Sequence, residues 1–284
     1  MSFGRRAVSV LLVASLLASC SGDDGGTDET GEVDPQVVRD SINLVASDGT
    51  TAIAFSVRLE GLPPDFGDLS VTGEGLASLD HDGARIELEV SEGMAEVVGA
   101  EAGVVELVDD GTEAVVRAQG EPWRQVTGEA RQGGGGGFTL IRGTDALAGV
   151  RFMERAVVTA RLLGSNDVRG RPATRYLVTL DPSVVEGDDA AAAIAADLDA
   201  AGFGILAGYA WVDDDGRLVR ARYDVDLGDL TGGGPFGAGG RFVSEVELFD
   251  VGADLDRTLP TVGGRGGQAV EPTELRRLLG GVAS

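Results

Sequence analysis

The sequence predicts an α+β protein built mainly from antiparallel β-strands. Three segments, at residues 80–83, 109–111 and 213–216, end in Asp-Gly between stretches that alternate apolar and polar residues. Asp-Gly tolerates the positive φ angles of tight turns, so each segment predicts a hairpin. Alternation with one polar face, as in residues 84–90, is typical of antiparallel strands over an apolar interior.

The first nineteen residues have the layout of a signal peptide. Arg5 and Arg6 form a basic start, and residues 7–18 are almost wholly apolar and uncharged. The apolar run is shorter than the roughly 20 residues that a membrane-spanning helix needs. Small residues then precede Cys20, the only cysteine of the chain. The segment Leu17, Ala18, Ser19, Cys20 resembles the lipobox of bacterial lipoproteins.

This resemblance implies that the Cys20 thiol carries a diacylglyceryl group and becomes the first residue after cleavage. The alternative is a plain signal peptide with an accidental cysteine near the cleavage site. Export by the Sec or the Tat route stays open. Residues 20–35 are mostly small and acidic, which predicts a flexible tether after the lipidated cysteine.

Residues 36–259 are long enough for one β-rich domain with a single core. Alternation and turn residues predict its strands near 51–60, 70–79, 84–91, 94–99, 103–108, 113–118, 123–127, 156–164, 173–180, 207–213, 217–227 and 241–250. Residues 260–284 are predicted to be a Gly-rich tail with one short amphipathic helix at Pro272–Leu279.

Two helices are predicted to interrupt the strands. Asp145 can cap a helix that runs to about Glu154. Asp188 or Asp189 can cap a second helix over residues 190–201, which Gly202 would end. The apolar residues at helical spacing in these two segments are Leu147, Val150 and Met153 in the first, and Ile194 and Leu198 in the second.

The order of these features resembles that of a known family. The strand run 104–111 leads to Glu121-Pro122-Trp123, a helix and the stretch 168–181 follow, and a second helix precedes Ala210–Leu218. Over residues 40–260 this order is similar to actinobacterial cell-envelope lipoproteins of the LppX/LprG type, which share the LolA-like lipid-carrier architecture.

The resemblance implies a strongly curved, half-barrel sheet with helices covering its concave face. It also implies an apolar cavity between sheet and helices for a lipid or glycolipid, with Leu147, Val150, Met153, Ile194 and Leu198 as candidate lining residues. A solidly packed core would produce the same alternation of residues, so a surface module that binds an envelope protein is the alternative.

Composition and motifs argue against other classes of protein. The formal net charge of −24 repels nucleic acid, and the absence of lysine excludes a P-loop. His81, the only histidine, lies in a turn, and no nucleophile elbow occurs. We therefore expect no catalytic residues, no metal and no cofactor. The signal peptide and the lipobox predict a location at the outer face of the cytoplasmic membrane, attached through the lipid on Cys20.

Overall fold

The computed structural model describes residues 31–61, 69–79, 83–98, 102–131, 142, 144–187, 189–226, 240–256, 258–260, 262 and 269–279. The predicted signal peptide, its lipobox Leu17, Ala18, Ser19 and Cys20, and the turn that contains His81 all lie outside these ranges. No helix within the described ranges is long and apolar enough to cross a membrane.

The described strands form one sheet in which every neighbouring pair is antiparallel. The strands are β1 (Glu32–Val33), β2 (Thr50–Glu60), β3 (Ser70–Ser78), β4 (Ala84–Val90), β5 (Gly103–Asp109), β6 (Ala114–Ala118), β7 (Arg124–Gln125), β8 (Val157–Val168), β9 (Arg171–Leu180), β10 (Leu206–Asp213), β11 (Leu218–Asp226) and β12 (Arg241–Phe249). Their order across the sheet is β1-β8-β9-β10-β11-β12-β2-β3-β4-β5-β6-β7. The sheet is open, with β1 and β7 at its edges, which confirms the predicted fold class.

The described helices are α1 (Gln36–Ser47), α2 (Glu92–Val98), α3 (Gly128–Arg131), α4 (Ala148–Ala156), α5 (Ala190–Ala200) and α6 (Pro272–Leu278), with a short 3₁₀ helix at Pro182–Val184. Buried residues of α1, α4 and α5 belong to the same apolar core as alternate residues of the strands. We call the sheet face that meets these helices the inner face, and the opposite one the outer face.

The strand pattern of the sequence holds along most of the sheet. In β4, Ala84, Ile86, Leu88 and Val90 are buried, whereas the residues between them are exposed. The turn at 110–113 joins β5 to β6, and the turn at 214–217 joins β10 to β11, as predicted. Alternate side chains of β4 therefore face the core and the solvent, as the sequence pattern predicts.

The predicted strand at 94–99 is wrong, because α2 occupies Glu92–Val98. The Ser91 hydroxyl oxygen accepts a hydrogen bond from the Met94 N–H at 3.3 Å, and the Ala95 N–H donates to the Ser91 carbonyl. This serine caps the helix, which favours a helical turn over extension of β4.

The N-terminus of α4 also differs from the prediction. Asp145 is not its cap, since the helix begins at Ala148 after Leu147. The Asp145 carboxylate instead accepts a hydrogen bond from the Leu147 N–H at 3.0 Å, and so closes the turn that leads into the helix. Asp189, by contrast, caps α5 as predicted, by accepting from the Ala192 N–H at 3.1 Å.

Helix α1 was missed by the strand-based prediction. It begins three residues after β1, which pairs with β8 through Glu32 and Val33 at the end of the predicted tether segment. Its buried side chains Val38, Ile42 and Val45 recur at helical spacing. Arg39, on the same helix, donates to the backbone carbonyls of Glu154 and Val157, so α1 is attached to the end of α4.

Candidate functional site

The structure brings the five candidate cavity residues together on the inner side of the sheet. Leu147, Val150 and Met153 lie at or in α4 and are at most 1% exposed. Ile194 and Leu198 lie in α5, which contacts α4, and are 6% and 7% exposed. All five belong to the main apolar core.

Helix α4 is the most enclosed element of this interior. Seven of its nine residues are buried, including Gly149 and Phe152. The Tyr223 hydroxyl, from the inner face of β11, donates a hydrogen bond to the Gly149 carbonyl, and its ring lies 6.2 Å from that of Phe152. Burial raises the pKa of Tyr223 well above 10.0, so this phenol stays protonated and available as a donor.

Small side chains let α4 and α5 lie close to each other and to the sheet. The buried alanines of the helices and strands in this region are Ala148, Ala156, Ala160, Ala191, Ala195, Ala210 and Ala221. Because alanine side chains are small, both helices can lie close to the sheet. A modest movement of either helix would therefore change the space between helix and sheet.

A polar cavity of about 470 Å³ adjoins this apolar interior beside the start of α4. Its polar lining residues are Ser78, Asp109, Arg131, Thr144, Asp145 and Asp189. The remaining lining residues have small side chains or none: Ala77, Gly83, Ala84, Gly111, Ala146 and Ala190. Ala146 precedes Leu147, so the polar cavity and the candidate apolar site meet at one turn of the chain.

Asp109 organises one wall of the polar cavity. Its carboxylate accepts two hydrogen bonds from Arg131, at 2.9 and 3.0 Å, one from the Gly111 N–H at 2.8 Å and one from the Thr144 hydroxyl. Arg131 belongs to α3 and Asp109 ends β5, so this pair joins the sheet to the segment before α4.

The other two acidic side chains of the lining are also paired with arginines. Asp145 pairs with Arg151, whose guanidinium also donates to the Leu79 carbonyl at 2.7 Å. Asp189 accepts two hydrogen bonds from Arg155, at 3.0 and 2.6 Å. Arg151 and Arg155 both belong to α4, so this helix faces the apolar core on one side and supplies ion pairs on another.

This polar cavity is not predicted by the sequence. Local pattern predicts Asp109 as a turn residue and Asp145 and Asp189 as helix caps, and it indicates no role for Arg131 or Thr144. The available signal was the presence of Arg151 and Arg155 in a helix that otherwise has the composition of a buried segment. Charged residues on such a helix need partners, and short acidic segments before α4 and α5 supply them.

The solved structures that are similar to this chain include the following three. LprF from Mycobacterium bovis has a TM-score of 0.50 and 13% identity, covering 81% of this chain and 97% of that one. The lipoprotein LppX from Mycobacterium tuberculosis has a TM-score of 0.44 and 15% identity, covering 80% and 100%. A LolA-superfamily protein from Nitrosomonas europaea has a TM-score of 0.31 and 11% identity, covering 78% and 95%.

No protein-family model matches the sequence, and no curated protein matches it. The likeness to LprF, at this identity, concerns the fold. It confirms the predicted fold, an open antiparallel sheet with helices on one face, which this chain shares with LprF.

Proposed function

We propose that this chain is an exported lipoprotein, anchored through a diacylglyceryl group on Cys20, that binds or shuttles a lipid or glycolipid in the cell envelope. The acyl chains would lie between the inner face of the sheet and helices α4 and α5. The observation that supports this most directly is an open sheet with one apolar face, covered by separate helices rather than by a second sheet. The LprF-like fold is consistent with it.

Binding of this kind is passive and needs no catalytic residue. Each methylene that leaves water for an apolar site contributes about 0.8 kcal/mol, so partial enclosure of a long acyl chain already provides substantial affinity. Two acyl chains on Cys20 are sufficient for stable attachment to a membrane.

Entry of an acyl chain requires α4 or α5 to move, because the five candidate residues are packed in the described state. Helix α5 is suited to this. Gly187 precedes it at φ +124° and Gly202 follows it at φ +87°, so glycines with left-handed backbone conformations flank both ends. Such positions can absorb the rotation of a hinge.

A protein-interaction module is the second candidate, and the packing of the interior favours it. The candidate cavity residues are at most 7% exposed and share one continuous core. A domain that never opens would use its outer surface to bind an envelope protein.

Native mass spectrometry and organic extraction distinguish the two candidates. The full chain and a soluble form that starts at Ser21 are prepared from a bacterium that processes lipoproteins. The described fold begins at Gly31, so this truncation removes none of its described contacts. Stoichiometric lipid on the soluble form supports the carrier function. Lipid on the full chain alone, bound covalently at Cys20, supports the anchor and moves the protein-interaction module to first place.

Two neighbouring alanines of α5 provide a matched pair of variants. Ala195 is buried against the core at 4% exposure, whereas Ala196 is exposed. Ala195→Leu is expected to lower lipid occupancy because it fills space between helix and sheet, and Ala196→Leu is expected to leave it unchanged. Equal occupancy in both variants, with unchanged melting, would place the lipid elsewhere.

A further inference from the structure

One part of the outer face differs in composition from the rest of this acidic chain. It lies on β8, on β9 and around the start of β10. Its residues, which we call the outer patch, are Val158, Arg161, Arg175, Leu177, Ile205 and Tyr209. We propose that the outer patch docks on the phospholipid surface to which Cys20 would be attached. This inference rests on the proposed anchor at Cys20 and not on the carriage of lipid.

The strand register places the residues of the outer patch side by side. Arg161 of β8 lies opposite Leu177 of β9, which lies opposite Tyr209 of β10. Arg175 comes two residues before Leu177 on the same strand and therefore faces the same way. Val178, the residue after Leu177, is buried in the main core, so Arg175 and Leu177 belong to the outer face.

Two exposed aliphatic side chains extend the patch to the end of the sheet. Val158 is 37% exposed, and Ile205 is 59% exposed, the highest value among the large apolar side chains of the described residues. Their neighbours Val157 and Leu206 both pair with Leu180. The two exposed side chains therefore lie on either side of the end of β9, about 10 Å apart. Apolar side chains that are exposed together favour an apolar partner over water.

The charges within the outer patch are positive. Arg161 is exposed and Arg175 is partly exposed, and neither side chain makes an ion pair with another described residue. A guanidinium group can donate two parallel hydrogen bonds to a phosphate, and a tyrosine ring suits the level of the lipid headgroups. A phospholipid surface therefore complements this patch, whereas it repels the acidic remainder of a chain with net charge −24.

The acidic side chains nearest the outer patch lie at its border. Glu32 of β1 is at the edge of the sheet, beside the β8 side of the patch. Asp181 follows β9, and its carboxylate accepts hydrogen bonds from the Ser183 N–H at 2.9 Å and the Ser183 hydroxyl at 2.6 Å. On the β11 side, Asp224 is paired with Arg222. These carboxylates therefore frame the positive patch and do not lie within it.

The chain that leads to Cys20 leaves the fold beside this patch. The Gly31 carbonyl accepts a hydrogen bond from the Leu162 N–H at 3.0 Å, next to Arg161. Eleven peptide units separate Cys20 from Gly31, and a chain of that length spans at most about 40 Å. An anchor on Cys20 would therefore hold the β8 edge close to the bilayer, where the outer patch is the surface that attracts phosphate.

The test attaches the protein to vesicles through its own cysteine. Cys20 is the only cysteine of the chain, so a soluble form that starts at Cys20 can be coupled to a maleimide-bearing lipid. The vesicles contain phosphatidylglycerol, phosphatidylcholine and a lipid that is spin-labelled at its headgroup. The spin label quenches the fluorescence of tryptophans that lie near the membrane surface.

The two tryptophans of the chain report on opposite parts of the sheet. Trp211 of β10 lies opposite Arg175, whereas Trp123 precedes β7 at the other edge. The variants Trp123→Phe and Trp211→Phe each leave a single tryptophan. We expect Trp211 to be quenched more strongly than Trp123, and the difference to be smaller on vesicles without phosphatidylglycerol.

Two substitutions in the outer patch have matched controls elsewhere. Arg161→Gln is expected to lower the ratio of docked to undocked protein about fivefold, the effect of one arginine near an anionic surface. Ile205→Gln should also lower this ratio, because it removes an exposed aliphatic side chain. Arg277→Gln, at an exposed arginine of α6, and Leu44→Gln, at a 38% exposed position of α1, should leave the quenching of Trp211 unchanged. Thermal melting checks the folding of each variant.

The results separate docking from the other uses of this surface. Equal quenching of the two tryptophans, or no effect of Arg161→Gln and Ile205→Gln, overturns the proposal. A dimer of the soluble form in analytical ultracentrifugation, dissociated by Ile205→Gln, would make the patch an interface between two copies and would also overturn it. The maleimide coupling replaces the natural lipid, so these failures leave the anchor at Cys20 intact. Mass spectrometry of the full chain tests that anchor separately.

Discussion

Tyr223 connects the sheet to the helix at the centre of the interior. Its hydroxyl donates to the Gly149 carbonyl, and the residue is 2% exposed. Tyr223→Phe is expected to lower the free energy of unfolding by about 1 kcal/mol, because it removes one buried hydrogen bond at nearly constant volume. Urea unfolding followed by circular dichroism measures the change. Tyr209→Phe, on the outer face of the sheet, is the control. A larger loss of unfolding free energy in Tyr209→Phe than in Tyr223→Phe would contradict the assigned role of Tyr223.

Arg169 occupies an unusual backbone position. It lies at φ +50° beside Gly170 at φ +75°, and the flanking residues Val168 and Arg171 pair in the β8–β9 ladder. Two successive positive φ angles define a tight hairpin turn in which glycine or asparagine is usual. The Arg169 side chain compensates, since its Nε donates to Glu247 at 2.6 Å and its guanidinium lies 3.9 Å from the centre of the Phe249 ring.

Two substitutions at Arg169 separate the side chain from the backbone. Arg169→Ala loses both contacts and keeps the strained φ, so we expect it to lower the free energy of unfolding by about 1–2 kcal/mol. Arg169→Gly loses the same contacts but relieves the strain, so its loss should be smaller. Arg171→Ala, at an exposed position of the same hairpin, is the control in chemical unfolding. A glycine variant less stable than the alanine variant would show that φ is not strained.

At the scale of single elements, β3 depends on two glycines. A Cβ added at Gly75 would lie 2.1 Å from the Arg85 carbonyl oxygen of β4, and one added at Gly73 would lie 2.3 Å from the Phe55 ring. Backbone cannot move away as a flexible side chain can, so the contact at Gly75 is the more restrictive of the two. These glycines allow β4 and the Phe55 ring to approach β3 closely.

Gly75→Ala is therefore expected to lower the thermal midpoint by several degrees or to prevent folding, since the strands must separate. Gly204→Ala is the matched control. Nothing lies within 4 Å of a Cβ added at Gly204, so this variant should be neutral or slightly stabilising. Similar melting of the two variants would mean that β3 and β4 adjust without cost.

Helix α6 is fastened to the β7 edge of the sheet by a bridge and an ion pair. Val270 pairs with Val126, and the two Glu274 carboxylate oxygens accept from Arg124 at 2.6 and 3.0 Å. The hydrogen bonds from Arg124 lower the pKa of Glu274 below 4.5. A carboxylate with a lowered pKa in the folded state contributes stability above its unfolded pKa and loses it as the pH falls through its folded pKa.

We therefore expect α6 to loosen as the pH falls below about 4.5, before the rest of the fold opens. Hydrogen exchange of residues 269–279, read by mass spectrometry across that range, measures this. Glu274→Gln should exchange faster at neutral pH and show a weaker pH dependence. Exchange of α6 that follows global unfolding at every pH would contradict local release.

In this chain the sequence predicts the strands better than the helices. Alternation in segments such as 84–90 and the two described Asp-Gly turns identified most strands, because these signals are local. Helix α2 was mistaken for a strand because its short apolar run has no clear period, and only the Ser91 cap distinguishes it. The polar cavity could not be found from local pattern, since β5, α3 and the residues before α4 and α5 contribute to it from distant parts of the chain.

The whole molecule combines an acidic surface with rows of like charge. At a net charge of −24, repulsion opposes the compact state and salt weakens that repulsion. On the outer face, Glu87 of β4 lies directly opposite Glu74 of β3 on one side and Glu106 of β5 on the other. Glu106 is partly compensated, because it accepts from Arg117 at 2.8 Å.

This arrangement predicts that moderate NaCl raises the urea midpoint of unfolding, since screening reduces repulsion in the folded state more than in the expanded unfolded chain.

Glu87→Gln should raise the free energy of unfolding by about 0.5 kcal/mol at low salt, and the gain should disappear at high salt. Glu89 lies on the same exposed face of β4, but opposite Thr72 and Val104, so Glu89→Gln removes the same charge without relieving a direct acidic pair. Equal gains from both variants would mean that total charge, rather than the cross-strand row, sets the repulsion. A larger gain from Glu87→Gln would show that the repulsion arises in the cross-strand row of Glu74, Glu87 and Glu106.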